Sequence, residues 1–377
     1  MTHTIIYSES ESKRFNMKVY RGIVEDVNVK LLKKIILQNE IDILIFSIKS
    51  EKNEQIPALD RLGFPYLQAD TLVYYYLDLE KYQIKELRNK DLEFQILTKK
   101  NDQVLDSLVD EIFSGYTNHY NSNPYLSKQS INESYKEWVR GFLSNEGGKT
   151  CYLVKKDGVN AGFATVTAQD GVGEGVLYGV LPSFSGMGIY SDIIRFTQKE
   201  LKNQGCKEMK VSTQVQNYAV QKVWGKEGFW LKESFATIHI NSLLSYSELP
   251  SKKFSFRLSE DEISEYGKVS GDYNPVHFDD TFAKSLGFKS RIVHGLTLSS
   301  ILSKFYGTEF PGHGTLFLGY NFLFMAPVYP NMDYHVEVNI LKETRETSLY
   351  ESLAKVKDAE GNICVICRSH LKANKNQ

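Results

Sequence analysis

The hydrophobic pattern of this 377-residue chain changes its grammar once, near residue 254, and that change restricts the fold more than any other feature. Beyond it, Ser259 with Glu262 three residues on forms a capping box that starts a helix. A loop follows, then one long apolar helix over roughly Leu296 to Tyr306. Four runs then alternate with period two: Thr315–Phe324, Asp333–Leu341, Ser348–Lys357 and Ile363–Leu371. In the second run Tyr334, Val336, Val338 and Ile340 share one face, as a half-buried strand requires. This pattern predicts one helix wrapped by an antiparallel sheet.

Residues before 254 mix strand and helix patterns in two blocks, 1–90 and 91–245. Val29, Leu32, Ile35 and Ile36 fall at helical spacing, and Ile41 to Ile48 reads as a strand. The first block ends on Leu62-Gly63-Phe64, a Pro65 break and a strand over Thr71 to Leu77. The second ends on Gly228-Phe229 and a strand over Ser234 to Ile240. Both blocks thus close on a Gly-Phe, a turn and a strand, a weak internal repeat. The polar, Ser-rich Asn241 to Lys253 contains Pro250 and reads as a linker, placed at 246–253. The last domain is then 254–377.

Composition narrows the function classes. Lys and Arg number 45 against 46 Asp and Glu, a net charge of −1. That balance leaves no basic excess for tracking phosphates, so nucleic acid is not expected as a partner. The start of the chain, Met1 to Ser8, has no basic stretch leading into an apolar one, and no apolar run is long enough to span a bilayer. A cytoplasmic protein without a membrane partner is expected. Four cysteines do not make a disulfide framework; Cys364 and Cys367 sit in a strand-like run where residues three apart face opposite ways, so no metal is expected.

Two segments carry chemistry. Gly179 to Tyr190 joins a strand to the helix Ser191 to Asn203. Glycines there leave backbone N–H groups free for a pyrophosphate at the positive end of the helix dipole. The loop lacks both the dinucleotide and the nucleoside-triphosphate glycine signatures. With Val180-x-Pro182, the strand Lys207–Val215, Asn217 and Trp224 to Phe229, it resembles the GNAT superfamily of acyl-CoA-dependent N-acyltransferases. The resemblance implies that Val180, Gly186, Met187, Gly188, Ile189, Tyr190 and Asn217 hold coenzyme A. Three positions depart from the family: Ser185 stands where Arg or Gln is usual, Tyr190 where Gly or Ala is, and Trp224 where a Tyr often protonates the leaving thiolate. An indole N–H is no acid of that kind. Ser12 to Asn16, Ile41 to Ile48, Leu62 to Tyr74 and Asn118 to Pro124 extend the likeness across 1–240. There the chain resembles the dTDP-fucosamine N-acetyltransferase type, with a degenerate N-terminal half. That implies an acceptor amine on a nucleotide-linked amino-deoxy sugar, with His119, Tyr120 and Asn123 lining its site; the same residues also fit a polar loop capping the next helix.

The second segment is Ser270 to His277. Asp272 and His277 stand five apart across a Pro275-stiffened turn, which lets a carboxylate and an imidazole share one water. Gly295 opens the long apolar helix, where its N–H suits a thioester carbonyl that gains charge. Residues 254–372, with Asp272-x-Asn274-Pro275-x-His277, Arg291 to Gly295, Ser303 and Gly319 to Pro327, look like a MaoC-like, single-hotdog (R)-specific enoyl-CoA hydratase. By that resemblance Asp272 and His277 are the catalytic pair, Asn274 orients them, Gly295 and Ser303 support the carbonyl, and the chain forms a homodimer. His294 reads as a helix cap.

The expected fold class is therefore mixed α+β, a GNAT fold with a degenerate N-terminal half followed by a single hotdog. The expected function is bifunctional, with CoA esters as co-substrates and no metal. A 2-enoyl-CoA such as crotonyl-CoA is hydrated to the (R)-3-hydroxyacyl-CoA, and the 3-hydroxybutanoyl group is passed to the amine of a nucleotide-linked sugar. The alternative is a nucleotide-sugar N-acetyltransferase using acetyl-CoA, with a hotdog that only dimerises it.

Overall fold

The computed structural model describes residues 4–374; residues 1–3 of the N-terminal stretch considered above lie outside them. The fold is mixed α+β and divides into two compact units. One comprises the chain up to Leu32 together with Ile43–Asn241, the other Lys33–Asp42 together with Ser242 onward.

Ten strands of the first unit form one sheet: β1 Thr4–Tyr7, β2 Val19–Ile23, β3 Ile43–Lys49, β4 Tyr66–Asp78, β5 Leu92–Ile96, β6 Lys149–Lys156, β7 Val159–Gln169, β8 Val172–Val180, β9 Glu208–Gln214 and β10 Trp230–Asn241. Their order is β1-β2-β3-β10-β4-β9-β8-β7-β6-β5. The two Gly-Phe repeats lead into β4 and β10, and these strands have changed places. β4, from the first block, pairs with β9 of the second, whereas β10, which closes the second block, pairs with β3 of the first. They also pair with each other, antiparallel, so the sheet runs unbroken through both blocks. Ala236, Ile238 and Ile240 of β10 are fully buried, so the exchanged strand is held by apolar packing as well as by its ladders.

In the second unit β11 Leu249–Arg257, β12 Leu316–Phe324, β13 Asp333–Thr344, β14 Leu349–Lys357 and β15 Ile363–Lys372 form an antiparallel sheet, ordered β11-β13-β14-β15-β12. Leu298, Leu302, Phe305 and Tyr306 of the helix Thr297–Thr308 bury against Tyr334, Val336, Val338 and Ile340 of β13. The Tyr306 hydroxyl meets Ser352 Oγ at 2.7 Å, so the deepest phenol is hydrogen-bonded.

The polar segment read as a linker is largely structured. Leu249–Arg257 is strand β11, paired with β13, and its Lys252 and Lys253 suit an edge position. Before it, the Asp42 carboxylate accepts from the backbone N–H groups of Ser245 and Tyr246 at 2.7 and 2.8 Å. Polarity there marks an edge strand and its hydrogen-bonded approach. Among the described residues no helix is long and apolar enough to cross a membrane.

Candidate active sites

In the second unit the helix Glu260–Ser270 ends on Gly271, whose φ of 74° carries the chain into the Asp272 turn. Asp272 Oδ1 accepts from the Asn274 N–H at 3.1 Å, and Asn274 Oδ1 in turn accepts from Val276 N–H. These two Asx turns aim the other carboxylate oxygen, Asp272 Oδ2, at His277 Nε2, 4.0 Å away. At that separation one water lying beside the pair reaches both groups. His277 Nδ1–H donates to the Ile292 carbonyl at 2.8 Å, which leaves Nε2 with its lone pair toward Asp272. Burial, reinforced by nearby His294, lowers the His277 pKa below the ordinary value, so the ring is a neutral base near pH 7. Asp272 remains half exposed, open to substrate.

His294 does more than cap a helix. Its Nε2–H donates to the Asp272 carbonyl at 3.0 Å and its ring stacks on His277 with centroids 3.9 Å apart. It therefore fixes both members of the pair, a role its place beside Gly295 in the sequence did not reveal. Among the described residues Asp272, His277 and His294 are the group with metal-holding spacing. Their ligand atoms lie within 4.8 Å of one another. The Gly295 N–H has no acceptor among the described residues. A Cβ at Gly295 would stand 2.8 Å from Phe324 Cζ, so only glycine leaves this approach open. Ser303 is exposed and lies six residues, about 9 Å, along the helix from Thr297. No contact joins it to Asp272 or His277.

In the first unit β8 and β9 are parallel neighbours that pair only from Val172–Glu208 to Gly175–Val211. β8 shows a register shift at this point, between Thr165/Val166 on its other partner, and the two strands then diverge. The gap opens into a cavity of about 710 Å³. Six of the seven expected CoA residues line it: Val180, Gly186, Gly188, Ile189, Tyr190 and Asn217. Met187 does not; it is exposed, and its carbonyl accepts from Asn89 Nδ2 at 3.1 Å. Gly186 and Gly188 have φ of 78° and 80°, the left-handed turn that glycine supports. The N–H groups from Gly186 to Ser191 have no acceptors among the described residues. A splayed strand pair for an extended arm and a row of free amides for a pyrophosphate fit coenzyme A.

Trp224 is 3% exposed and borders the same cavity; among the described residues its indole N–H forms no hydrogen bond of normal geometry, though it acts on the neighbouring Tyr190 phenol. Tyr190 lies beside it; burial raises the Tyr190 pKa, so that phenol stays protonated. The expected acceptor residues are drawn into a polar network. His119 Nδ1 meets His239 Nε2 at 2.8 Å, and Asn123 Nδ2 meets His239 Nδ1 at 3.0 Å and Asn241 Oδ1 at 2.8 Å. The Tyr120 hydroxyl donates to Glu11. Asn118 and Asn121 form a capping box around the turn His119–Ser122 itself, not around the next helix, Lys128–Arg140, whose N-cap Ser127 makes no side-chain cap bond. The network holds the loop that brings Tyr116 to the cavity wall.

Asp70 escaped the sequence reading. It stands on β4 opposite Thr237, both carboxylate oxygens are buried, and among the described residues neither forms a hydrogen bond of normal geometry, with Thr237 and Arg21 acting on it from nearby. Burial raises its pKa, and its charge acts on Tyr116. An acid in the middle of the strand Tyr66–Asp78 was the signal available.

Comparison with known proteins finds both domains. The Acetyltransferase (GNAT) family matches residues 107–229, and the MaoC like domain matches residues 246–359. An (R)-specific enoyl-CoA hydratase of Aeromonas caviae is 35% identical over 95 residues, 25% of this chain and 71% of that protein. A mitochondrial 3-hydroxyacyl-[acyl-carrier-protein] dehydratase of Arabidopsis thaliana is 32% identical over 102 residues, 27% of this chain and 59% of that protein. A solved (R)-hydratase from A. caviae involved in PHA biosynthesis aligns over 34% of this chain and 98% of its own, with 26% identity and a TM-score of 0.33. The chain is thus an enzyme that joins a GNAT acyltransferase domain to a hotdog hydratase domain. Through the latter it belongs to the MaoC-like family of (R)-specific enoyl-CoA hydratases.

Proposed function

We propose that the chain hydrates a 2-enoyl-CoA, such as crotonyl-CoA, and transfers the resulting (R)-3-hydroxyacyl group to the amine of a nucleotide-linked amino-deoxy sugar. The observation that carries this reading is the presence in one chain of two sites that both fit an acyl-CoA ester: the Asp272–His277 pair and the splayed β8–β9 cavity.

In the first reaction His277 Nε2 and Asp272 share the water. The oxygen bonds to C3 of the enoyl group, one water proton passes to the His277–Asp272 pair, and a proton is returned to C2. The Gly295 N–H stabilises the enolate oxygen as negative charge builds there. In the second reaction the neutral amine attacks the thioester carbonyl, the C–N bond forms, the C–S bond breaks, and the CoA thiolate leaves to be protonated. The amine reaches the enzyme as an ammonium and loses its proton before it attacks; Asp70, which does not itself line the cavity but has a raised pKa and acts on the cavity-wall residue Tyr116, is the acid assigned to receive that proton. Trp224 gives no proton to the thiolate, so water or the Tyr190 phenol serves. Both steps belong on one polypeptide because tethering raises the local concentration of the intermediate.

We also infer a homodimer. β12 is an edge strand, and its Leu316, Leu318, Tyr320 and Phe324 are exposed, an apolar edge that a second copy would cover.

Incubating the purified protein with crotonyl-CoA and a panel of dTDP-linked aminosugars, followed by mass spectrometry, tests the coupling. The expected product carries a 3-hydroxybutanoyl group on nitrogen. Acetyl transfer from acetyl-CoA as the sole reaction would overturn it.

A further inference from the structure

We propose that Arg88 supplies the positive charge that the glycine loop lacks, gripping the phosphates of coenzyme A from a segment outside that loop. The inference rests on the reading of the 181–191 loop as the CoA site. Residues 181–191 contain no Lys or Arg, and the place where a long basic or amide side chain is usual is Ser185. Free backbone amides alone would face the several negative charges of a CoA diphosphate.

The segment after β4 provides a built mount for the missing cation. Asp192, fully buried in the first turn of the helix Ile189–Asn203, accepts from the Arg88 N–H at 2.8 Å. It also accepts from Asn89 N–H at 3.0 Å and Asn89 Nδ2 at 2.7 Å. Asn89 Nδ2 reaches the Met187 carbonyl as well, at 3.1 Å, so backbone 88–89 is fastened to both the helix and the loop. This places Arg88 Cδ 3.8 Å from where a Cβ on Gly188 would stand, within van der Waals reach of the loop glycine.

The surrounding charges cancel without Arg88. Asp192 pairs with Arg195 at 3.1 Å, Arg195 pairs with Glu227 at 2.8 Å, and Lys85 lies 3.8 Å from Glu227. Two acids thus meet two bases. Arg88 is exposed and has no ion pair among the described residues, so it is an uncompensated cation in contact with the glycine loop. An Arg fork matches phosphate oxygens in a bidentate manner that Lys does not.

Hydrogen-exchange mass spectrometry on peptides covering 181–195 reads occupancy at this site separately from the hotdog domain. Titrations use CoA, 3′-dephospho-CoA and pantetheine, on the wild type, Arg88→Ala, Arg88→Lys and the nearby exposed control Lys90→Ala. The expected result is CoA protection shifted to about tenfold higher concentration in Arg88→Ala, the loss of one charge-assisted contact. Pantetheine protection stays unchanged, Arg88→Lys is intermediate, and Lys90→Ala matches the wild type. A larger loss with CoA than with 3′-dephospho-CoA assigns Arg88 to the 3′-phosphate; equal losses assign it to the diphosphate. Equal CoA titrations in wild type and Arg88→Ala would overturn the role of Arg88 alone, whereas no CoA protection of the wild-type loop would overturn the transferase reading beneath it.

Discussion

The hydratase turn and the transferase cavity are built from different materials. Asp272 and His277 lie five residues apart, and their geometry is set by two Asx turns, one backbone carbonyl and a stacked imidazole. The cavity wall draws on residues from Ile112 to Trp224, and its essential features are backbone ones: a splay, two left-handed glycines and a row of free N–H groups. In the first, chemistry resides in side chains that cannot be exchanged. In the second, side chains at three family positions have changed while the backbone frame for a CoA ester persists. Side-chain edits should therefore silence the turn and only modulate the cavity.

The sharpest test of that contrast is Asp272→Asn. The amide keeps the turn but removes the carboxylate that shares the water, so hydration of crotonyl-CoA should fall about 10³-fold. Protection of the 181–195 peptides by CoA, and acyl transfer from a preformed ester, should be unchanged. Retention of hydration in this variant would dissolve the comparison, since the pair would then be no more than a turn cap.

A second variant asks whether the transferase side holds an equally exacting side chain. Asp70→Asn preserves shape and removes the proposed proton acceptor. Steady-state kinetics with the amine as varied substrate should show kcat/KM lowered about 10²-fold near neutral pH, with CoA protection of the loop intact. No change in amine kinetics would mean that the buried carboxylate does not take the amine's proton.

How far each site was legible follows from the same contrast. Asp272, His277 and Gly295 were readable because the residues that converge lie in two short segments, and sequence spacing there is nearly spatial spacing. The four alternating runs from Thr315 to Leu371 appear as β12 to β15 with small shifts at their ends, because one buried face per strand enforces period two. The strand exchange was hidden. The Gly-Phe repeat shows that β4 and β10 are alike, but identical patterns cannot say which sheet edge each strand completes. β11 was hidden for a related reason, since an edge strand exposed on one face carries polar residues that also signal a linker. His119 and Asn123 look like ligand-facing polar residues in a loop, and only their pairing with His239 and Asn241, over a hundred residues away, reveals a structural network.

That network predicts an acid sensitivity in the first unit, separate from the one that the lowered His277 pKa gives the second. Burial lowers the His239 pKa to about 3 and that of His119 well below its ordinary value. Both rings therefore stay neutral in the fold and take up protons on unfolding. Above the unfolded-state value near 6.5 they cost nothing. As pH falls below it, stability is lost at about 1.4 kcal/mol per pH unit for each histidine, until the folded-state pKa is reached. Denaturant melts between pH 7 and 5 should show this decline, and His239→Gln should flatten it. A pH-independent stability across that range would contradict the burial of the pair.

The smallest expected effect concerns Trp224, whose indole sits where a phenol commonly protonates the leaving thiolate. Its N–H is buried on the cavity wall without a hydrogen bond of normal geometry among the described residues, so the position is aimed correctly but chemically mute. Trp224→Tyr should raise the acyl-transfer rate by about tenfold, less than a sole general acid contributes because water or Tyr190 already delivers the proton. The gain should disappear above the new phenol's pKa, which a pH profile of single-turnover transfer would show. Tyr190→Phe in the Trp224→Tyr background separates the two phenols: an unchanged rate assigns the proton to position 224, and a collapse to below wild type assigns it to Tyr190. If Trp224→Tyr instead lowers transfer, the indole is part of the acyl pocket's shape, and the cavity depends on its side chains as strictly as the turn does.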